Sequence, residues 1–249
     1  MQHPYFASAK RLLSSLRHTP LHPQWLILRK SHDAFHQVSK IAQGRLLDIG
    51  CGNRTLERYL PNTCSYIGLD YPKTVDLGYQ GKPSVFGDGQ NLPFASASFQ
   101  YVTFMDVLEH IPRPTLAIQE AWRVLSASGI LVIQVPFLYP LHDEPYDFQR
   151  WTRHGLEKLC QSGGFEVMQI HASNTSVATA SALLSIALAK SMVDALTRRK
   201  PSALLTPLIA TLIALINCLA CLAEMILPTS DMMPSSYLVI ARKNDTSQA

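Results

Sequence analysis

An aspartate and two glycines stand together directly after an apolar run, in the sequence Leu46-Leu47-Asp48-Ile49-Gly50-Cys51-Gly52. The apolar run predicts a buried strand at 45–49, and glycine both tolerates positive φ and lets a ligand approach bare backbone. We predict a helix at 53–60, whose first amides would favour a negative group. The pattern therefore predicts a small-molecule site in which one carboxylate faces a ligand held close to the main chain.

This turn differs from the Gly-x-Gly-x-x-Gly fingerprint of dinucleotide-binding proteins. Thr55 occupies the third glycine position, and Asp48 precedes the first glycine. The missing third glycine disfavours a nicotinamide-dependent oxidoreductase. A carboxylate at this position suits a ligand that carries an ammonium group, as the amino acid end of S-adenosylmethionine (SAM) does.

Further segments follow in the order of one family, at 65–70, 86–94, 98–110 and 123–133. With the glycine turn they cover roughly residues 40–140, and over this stretch the chain resembles the class I SAM-dependent methyltransferases. The resemblance implies an α/β fold with a Rossmann-like, seven-stranded, mostly parallel sheet and an antiparallel last strand. We predict strands at 45–49, 65–70, 84–86, 99–104, 129–135, 165–171 and 237–242, with helices near 114–125 and 152–162.

The same resemblance implies where SAM binds. Asp48, Gly50 and Gly52 would surround its methionyl end, Asp70 its ribose, and Asp88 with Gly89 its adenine. About 20 residues separate Asp70 from the glycine turn, a spacing at which a carboxylate reaches a ribose diol. The full predicted cofactor set is Asp48, Gly50, Cys51, Gly52, Asp70, Tyr71, Asp88, Gly89, Met105, Asp106 and Val107.

Two histidines are candidates for a catalytic base toward the methyl acceptor. His142 begins a loop after the fifth strand that resembles a stretch in methyltransferases of glycan and small-molecule pathways, and imidazole titrates near neutral pH. In that loop Asp147 and Arg150 are expected to pair structurally while Trp151 packs on the core. His110 follows the fourth strand, where similar enzymes line the methyl-transfer site; alternatively it hydrogen-bonds a neighbouring backbone group.

Metal binding is not predicted. His32 and His36 are four residues apart, which could place both on one ion, but a third ligand with comparable spacing is not evident in the sequence. Cys218 and Cys221 lie in an uncharged apolar segment and are interpreted as small buried hydrophobic residues.

The chain divides into four predicted parts: an N-terminal helical cap at 1–40 broken at Pro20 and Pro23, a SAM-binding core at 41–175, an apolar helical hairpin at 176–230, and a last strand with its tail at 231–249. The hairpin departs from the family, which joins its last two strands by a short turn. Residues 203–223 carry no charge, and that length would cross a bilayer.

Both ends of the hairpin return to one sheet, and its predicted tip carries three positive charges, Arg198-Arg199-Lys200. Moving these charges across a bilayer opposes the positive-inside tendency. Two alternatives remain open beside a true span: contact with a membrane surface, or packing within the chain or in a homodimer.

Composition fits a folded enzyme domain of 249 residues with 47% hydrophobic and 16% charged residues. A net charge of +4 without a basic stripe argues against a nucleic-acid partner. Five scattered cysteines and an N-terminus without a signal-like apolar core predict a cytoplasmic protein, peripherally attached to a membrane in one alternative. The leading hypothesis is SAM-dependent methylation of a small-molecule acceptor, lipid-linked or glycan-type, with O-methylation favoured by the histidines. The alternative is a SAM-binding, membrane-associated interaction protein without transferase activity.

Overall fold

The structure is a computed structural model that describes residues 16–244. The predicted helix at the start of the N-terminal cap therefore lies largely outside the described residues. Two compact units form: one contains residues 33–172 and 236–244, and the other contains residues 16–32 and 173–235.

Seven strands form one sheet in the order β3-β2-β1-β4-β5-β7-β6. The pairs of β1 with β2 and β4, of β2 with β3 and of β4 with β5 are parallel, whereas β7 pairs antiparallel to β5. This confirms the predicted sheet and its antiparallel last strand. The strands are β1 (Gly44–Ile49), β2 (Cys64–Asp70), β3 (Val85–Phe86), β4 (Phe99–Met105), β5 (Leu125–Pro136), β6 (Phe165–Ser173) and β7 (Ser236–Lys243).

Alternating side chains of the strands point to opposite faces of the sheet and build two cores. One core joins Leu47 of β1 and Phe104 of β4 to two helices, α3 (Pro114–Val124) and α4 (Arg153–Ser162). The other joins Leu46, the residue before Leu47, to α2 (Asp33–Ile41). A sheet covered on both faces directs its ligands to the carboxyl ends of its strands.

Two of the predicted core helices form close to their expected positions. Thr152 caps α4 by accepting a hydrogen bond from the Gly155 amide at 3.1 Å. Gly163 follows the end of α4, and Gly164 adopts φ +84°.

The predicted helix at 53–60 is wrong. Only a four-residue 3-10 turn forms, at Leu56–Tyr59. Arg54 adopts φ +56°, which a right-handed helix cannot accommodate, and its guanidinium instead donates to Glu57 and to the Lys82 carbonyl. The turn therefore presents no helix N-terminus to a ligand.

The second unit contains α1 (Trp25–Leu28), α5 (Ser176–Thr197) and α6 (Thr206–Ile226). Residues 16–24 form turns. Among the described residues of the predicted N-terminal helical cap, helix forms at α1 in this unit and at α2 in the sheet unit. Thr175 caps α5 by accepting a hydrogen bond from the Ala178 amide. Leu26 packs in a small core with α5 and α6, which confirms that the apolar insertion is a helical hairpin.

A polar side chain fixes α6 to the segment before α1. Asn217 is fully buried, and its amide donates to the carbonyls of Pro20 at 2.7 Å and His22 at 3.1 Å. Arg29 forms an ion pair with Glu224 farther along the same helix. One face of α6 is thus held within its unit.

Another face of α6 is apolar and open. Leucines recur at helical spacing over about four turns and are between 41% and 66% exposed: Leu208, Leu212, Leu215, Leu219 and Leu222. We call these five residues the leucine stripe. Two helical segments, Ser176–Thr197 and Pro201–Ile226, have the length and apolar composition of a membrane span, a property that buried helices of soluble proteins can share.

Candidate functional site

A cavity of about 420 Å³ opens at the carboxyl ends of β1, β2 and β4, a size typical of small-molecule sites. All eleven residues predicted to bind the cofactor line it, and His110 lines it as well. His142 does not belong to the lining, but its ring lies 4.8 Å from that of His110, centroid to centroid. The fold therefore brings four separate segments of the sequence together in one continuous site.

The glycine turn needs its glycines for reasons internal to the protein. Gly50 adopts φ +70°, and a Cβ placed on it would lie 2.4 Å from a methyl carbon of Val107. Gly52 adopts φ +49°, and its amide donates to the Asp70 carboxylate at 3.1 Å. A larger residue at position 50 would therefore displace the loop after β4 as well as obstruct a ligand.

Asp48 is buried with both carboxylate oxygens in use. Thr103 Oγ1 donates to one oxygen at 2.7 Å, and the Tyr66 hydroxyl donates to the other at 2.8 Å. Burial raises the pKa of Asp48 to about 6, against these two hydrogen bonds, which act to lower it. Because desolvation disfavours the anion, a cationic group in the cavity would stabilise the ionised form of Asp48.

Asp70 connects the end of β2 to the glycine turn. One of its oxygens accepts from the Gly52 amide and the other from the Tyr71 amide at 2.8 Å. Burial raises the pKa of Asp70, and these backbone bonds oppose the shift. Asp88 accepts from the Gln90 amide at 2.8 Å, beside Gly89.

These donors and acceptors fit SAM. Five carboxylates line the cavity. Three of them, Asp48, Asp70 and Asp88, lie at the ends of neighbouring strands, as a ligand with an ammonium, a ribose diol and an adenine amino group requires. A Cβ on Gly89 would lie 3.0 Å from the Ile49 side chain, so this glycine also permits a close approach.

Several cavity residues were missed by the sequence analysis. The Tyr79 hydroxyl donates to the Asp143 carboxylate at 2.9 Å and joins the segment after β2 to the loop after β5. Tyr146, Phe148 and Phe35 also line the cavity. Tyr79 and Asp143 are 64 residues apart, and no periodicity in the sequence signals their contact.

The loop after β5 is held by an ion pair, as predicted. The Arg150 guanidinium donates to both oxygens of Asp147, at 2.5 and 2.7 Å, and this pairing lowers the pKa of Asp147 to about 2. Trp151 packs against the core of the sheet. The Phe148 amide donates to the Glu109 carbonyl at 3.0 Å and so fixes this loop to the loop after β4.

Glu109 lies at the junction of these two loops. Its side chain is fully buried, and neither carboxylate oxygen accepts a hydrogen bond. His110 Nε2 and His142 Nε2 each lie 3.7 Å from Glu109 Oε1. The Glu109 carboxylate raises the pKa of His142, assisted by Asp147 and opposed by burial. The alternative prediction for His110 was a hydrogen bond to a neighbouring backbone group. Its Nδ1 instead contacts the carbonyl of Tyr146, which is distant in the sequence.

Comparison with known proteins agrees with this geometry. Residues 47–133 match a family described as a methyltransferase domain. A demethylmenaquinone methyltransferase of Staphylococcus epidermidis is 32% identical over 99 residues, which are 35% of this chain and 41% of the relative. A fatty-acid O-methyltransferase of Mycolicibacterium smegmatis is 30% identical over 119 residues, 44% of this chain and 41% of the relative. The matched part thus spans about two fifths of the length of these curated relatives.

Among solved structures, a SAM-dependent methyltransferase from Archaeoglobus fulgidus superimposes with a TM-score of 0.52 at 19% identity, covering 87% of this chain and 93% of that one. At this identity the likeness concerns the fold alone. It extends beyond the segment matched in sequence.

Proposed function

We propose that the chain is a class I SAM-dependent methyltransferase and that it transfers the methyl group of SAM to an oxygen atom of a small amphiphilic acceptor. The match of residues 47–133 to a methyltransferase-domain family supports the first part of this proposal. One observation carries this proposal: the acids at the strand ends line the same cavity as residues of the loops after β4 and β5, which we call the acceptor loops. A protein that only bound SAM would not need the polar groups of the two acceptor loops beside the cofactor.

The residues divide between the two reactants. Asp48 and the glycine turn hold the methionyl end of SAM, Asp70 the ribose, and Asp88 with Gly89 the adenine. SAM, when bound, supplies a methyl group on a positively charged sulfur. The protein's main contribution is alignment of the acceptor oxygen with that methyl group, an effect worth up to about 7–11 kcal/mol in well-oriented reactions.

Of Glu109, His110 and His142, His110 is the residue that lines the cavity. Its Nδ1 donates to the Tyr146 carbonyl at 2.9 Å, which fixes the ring orientation. Tyr146 and Phe148 supply aromatic surface in the same cavity. An acceptor with an oxygen at one end and an apolar body suits this combination of side chains.

The amphiphilic character of the acceptor is supported from outside the cavity. The leucine stripe of α6 and the basic segment Arg198-Arg199-Lys200 are exposed, a combination that binds anionic bilayer surfaces. One relative is named a fatty-acid O-methyltransferase. The proposed location is therefore the cytoplasmic surface of a membrane, and the five free cysteines support a reducing compartment.

A direct test combines methyl-labelled SAM, the full chain, and anionic vesicles that contain a long-chain fatty acid, a fatty alcohol or a fatty amine. We expect label in the fatty acid or the fatty alcohol. Base should release the label of the fatty-acid methyl ester as methanol and leave the methyl ether of the alcohol intact. His110→Ala should lower turnover by about 10²-fold or more, because this imidazole lines the cavity, while SAM affinity measured by calorimetry stays unchanged. Exclusive labelling of the amine would contradict the O-methylation.

A second candidate function is SAM binding coupled to membrane attachment without methyl transfer. The open leucine stripe favours it, because that surface serves attachment whether or not chemistry follows. Tight SAM binding with no label in any vesicle component, and none in extracted lipids, would support this candidate over the first.

A further inference from the structure

Three electron-pair donors converge beside the cavity. Glu109 Oε1, His110 Nε2 and His142 Nε2 lie within 4.8 Å of one another, and both nitrogens are 3.7 Å from the carboxylate oxygen. Among the described residues, this is the group of histidine, cysteine and acidic side chains close enough to share one ion. The separation of 3.7 Å is too long for a hydrogen bond.

The protons of both imidazoles are engaged elsewhere. His110 Nδ1 faces the Tyr146 carbonyl at 2.9 Å, and a carbonyl oxygen only accepts, so this nitrogen carries its hydrogen. His142 Nδ1 faces the Pro140 carbonyl and the Asp147 carboxylate, both at 3.3 Å, which are again acceptors. In the neutral imidazoles, Nε2 therefore presents a lone pair toward Glu109.

Lone pairs and a buried carboxylate facing one another are unfavourable unless a cation lies between them. We propose that Glu109, His110 and His142 bind one divalent transition-metal ion of the zinc type. Zn²⁺ takes nitrogen ligands at about 2.0–2.1 Å and carboxylate oxygens at about 2.0–2.2 Å, so its tetrahedral ligands are roughly 3.4 Å apart. The two separations of 3.7 Å from Glu109 need to shorten by about 0.3 Å, and the two histidine ligand atoms, which lie within 4.8 Å of each other, need to approach by up to about 1.4 Å.

The surroundings have the features that support metal ligands. Metal-binding histidines usually donate their second nitrogen to a carbonyl or carboxylate, which fixes the ring and its tautomer. Asp147 does this for His142, and is itself held by both donors of Arg150 and by the His142 amide at 3.0 Å. Two imidazoles with one carboxylate favour zinc, iron or cobalt over calcium and magnesium, which prefer oxygen ligands.

Three protein ligands leave a coordination position open. Because His110 lines the cavity, that position is accessible to a water molecule or to the acceptor oxygen. The ion would lower the pKa of a bound hydroxyl and orient its oxygen for attack on the methyl group. This role rests on the proposed function, whereas binding of the ion does not.

The test measures zinc on the full chain, expressed without a polyhistidine tag and stripped with a chelator. Zinc binding is followed by competition with a chromogenic chelator and by elemental analysis after gel filtration. We expect one zinc per chain. Glu109→Gln and His142→Asn should each weaken binding by at least about 100-fold, and Asp147→Asn by about 10- to 100-fold. The control His154→Ala removes an exposed histidine and should bind zinc as the parent does.

SAM binding is measured on every variant by calorimetry, because a variant that fails to bind SAM is misfolded. If one of the two ligand variants is misfolded, the other takes its place in the test. The inference is overturned if the parent retains less than about 0.1 zinc per chain while binding SAM, or if Glu109→Gln binds zinc as tightly as the parent. Stoichiometric zinc with no methyl transfer would leave the metal site intact and contradict the proposed function instead.

Discussion

The sheet unit and the hairpin unit use apolar residues in opposite ways. In the sheet unit, Leu47, Phe104 and Leu131 are fully buried, and polar groups at the strand ends line a cavity. In the hairpin unit, α6 buries Ile213, Asn217 and Ala220, while the leucine stripe stays open. The first unit buries these apolar side chains, whereas the second leaves an apolar surface exposed, a feature typical of binding surfaces.

The largest expected effect separates the two units entirely. The Ser235 amide donates to the Ser173 carbonyl at 3.0 Å, so the ends of the insertion are adjacent. Replacing residues 174–234 by a short glycine-containing turn should abolish flotation with anionic vesicles and preserve SAM affinity. Flotation and calorimetry on the same preparation measure both. A deletion variant that folds but no longer binds SAM would show that the hairpin contributes to the cofactor site.

The second prediction concerns the sheet unit alone. Asp70→Asn removes the charge of a carboxylate that accepts a hydrogen bond from the Gly52 amide. The proposed function assigns this carboxylate to the ribose. We expect SAM affinity to fall by about 100-fold, because hydrogen bonds to a charged group contribute about 1.5–3 kcal/mol. Vesicle binding should be unchanged. Equal SAM affinity in the variant and the parent, determined by calorimetry, would remove Asp70 from the site.

The third prediction is a pH dependence. Since the pKa of Asp48 in the folded protein is raised to about 6, protons compete with a cationic ligand as the pH falls through that value. SAM affinity should drop by up to about tenfold per pH unit below 6. The stability of the free protein should rise as the pH falls. The buried charge of Asp48 lowers stability at neutral pH, and this effect disappears as the pH falls from about 6 to the pKa of Asp48 in the unfolded chain.

Asp48→Asn is the control for this dependence. The SAM affinity of this variant should be lower than that of the parent at neutral pH, and it should change less with pH between pH 5 and 7. Asp70 also has a raised pKa, so the difference between parent and variant isolates Asp48. A variant with the same pH slope as the parent would assign the effect to another group.

The smallest effect sharpens the description of the hairpin. Asn217→Ala leaves the Pro20 and His22 carbonyls without their donor and should destabilise the hairpin unit by about 1–3 kcal/mol. Hydrogen exchange should rise in α5 and α6 and stay constant in β1 and β4. Uniform acceleration in all four elements would mean that the two units unfold together.

The sequence was most informative where structure depends on neighbouring residues. The first strand and the glycine turn follow from local patterns. The resemblance implied the sheet and placed eleven residues around one cavity. Arg54 shows the limit of this reasoning, because its positive φ interrupts the predicted helix and its guanidinium binds the carbonyl of Lys82, which is 28 residues away in the sequence. The cluster at Glu109 was missed for a similar reason. Only the folded loops bring His142 to the carboxylate.

The position of the hairpin in the chain has a kinetic consequence. β7 pairs with β5 in the register Val132 to Ile240, so this pairing closes a loop of about a hundred residues. Such pairings are late steps of folding, because closing a long loop costs entropy and the paired residues are far apart in the sequence. During synthesis, α5 and α6 emerge before β7 exists. On the membrane attachment proposed above, the leucine stripe would meet a bilayer while the sheet is still open, so that attachment precedes, rather than follows, completion of the sheet.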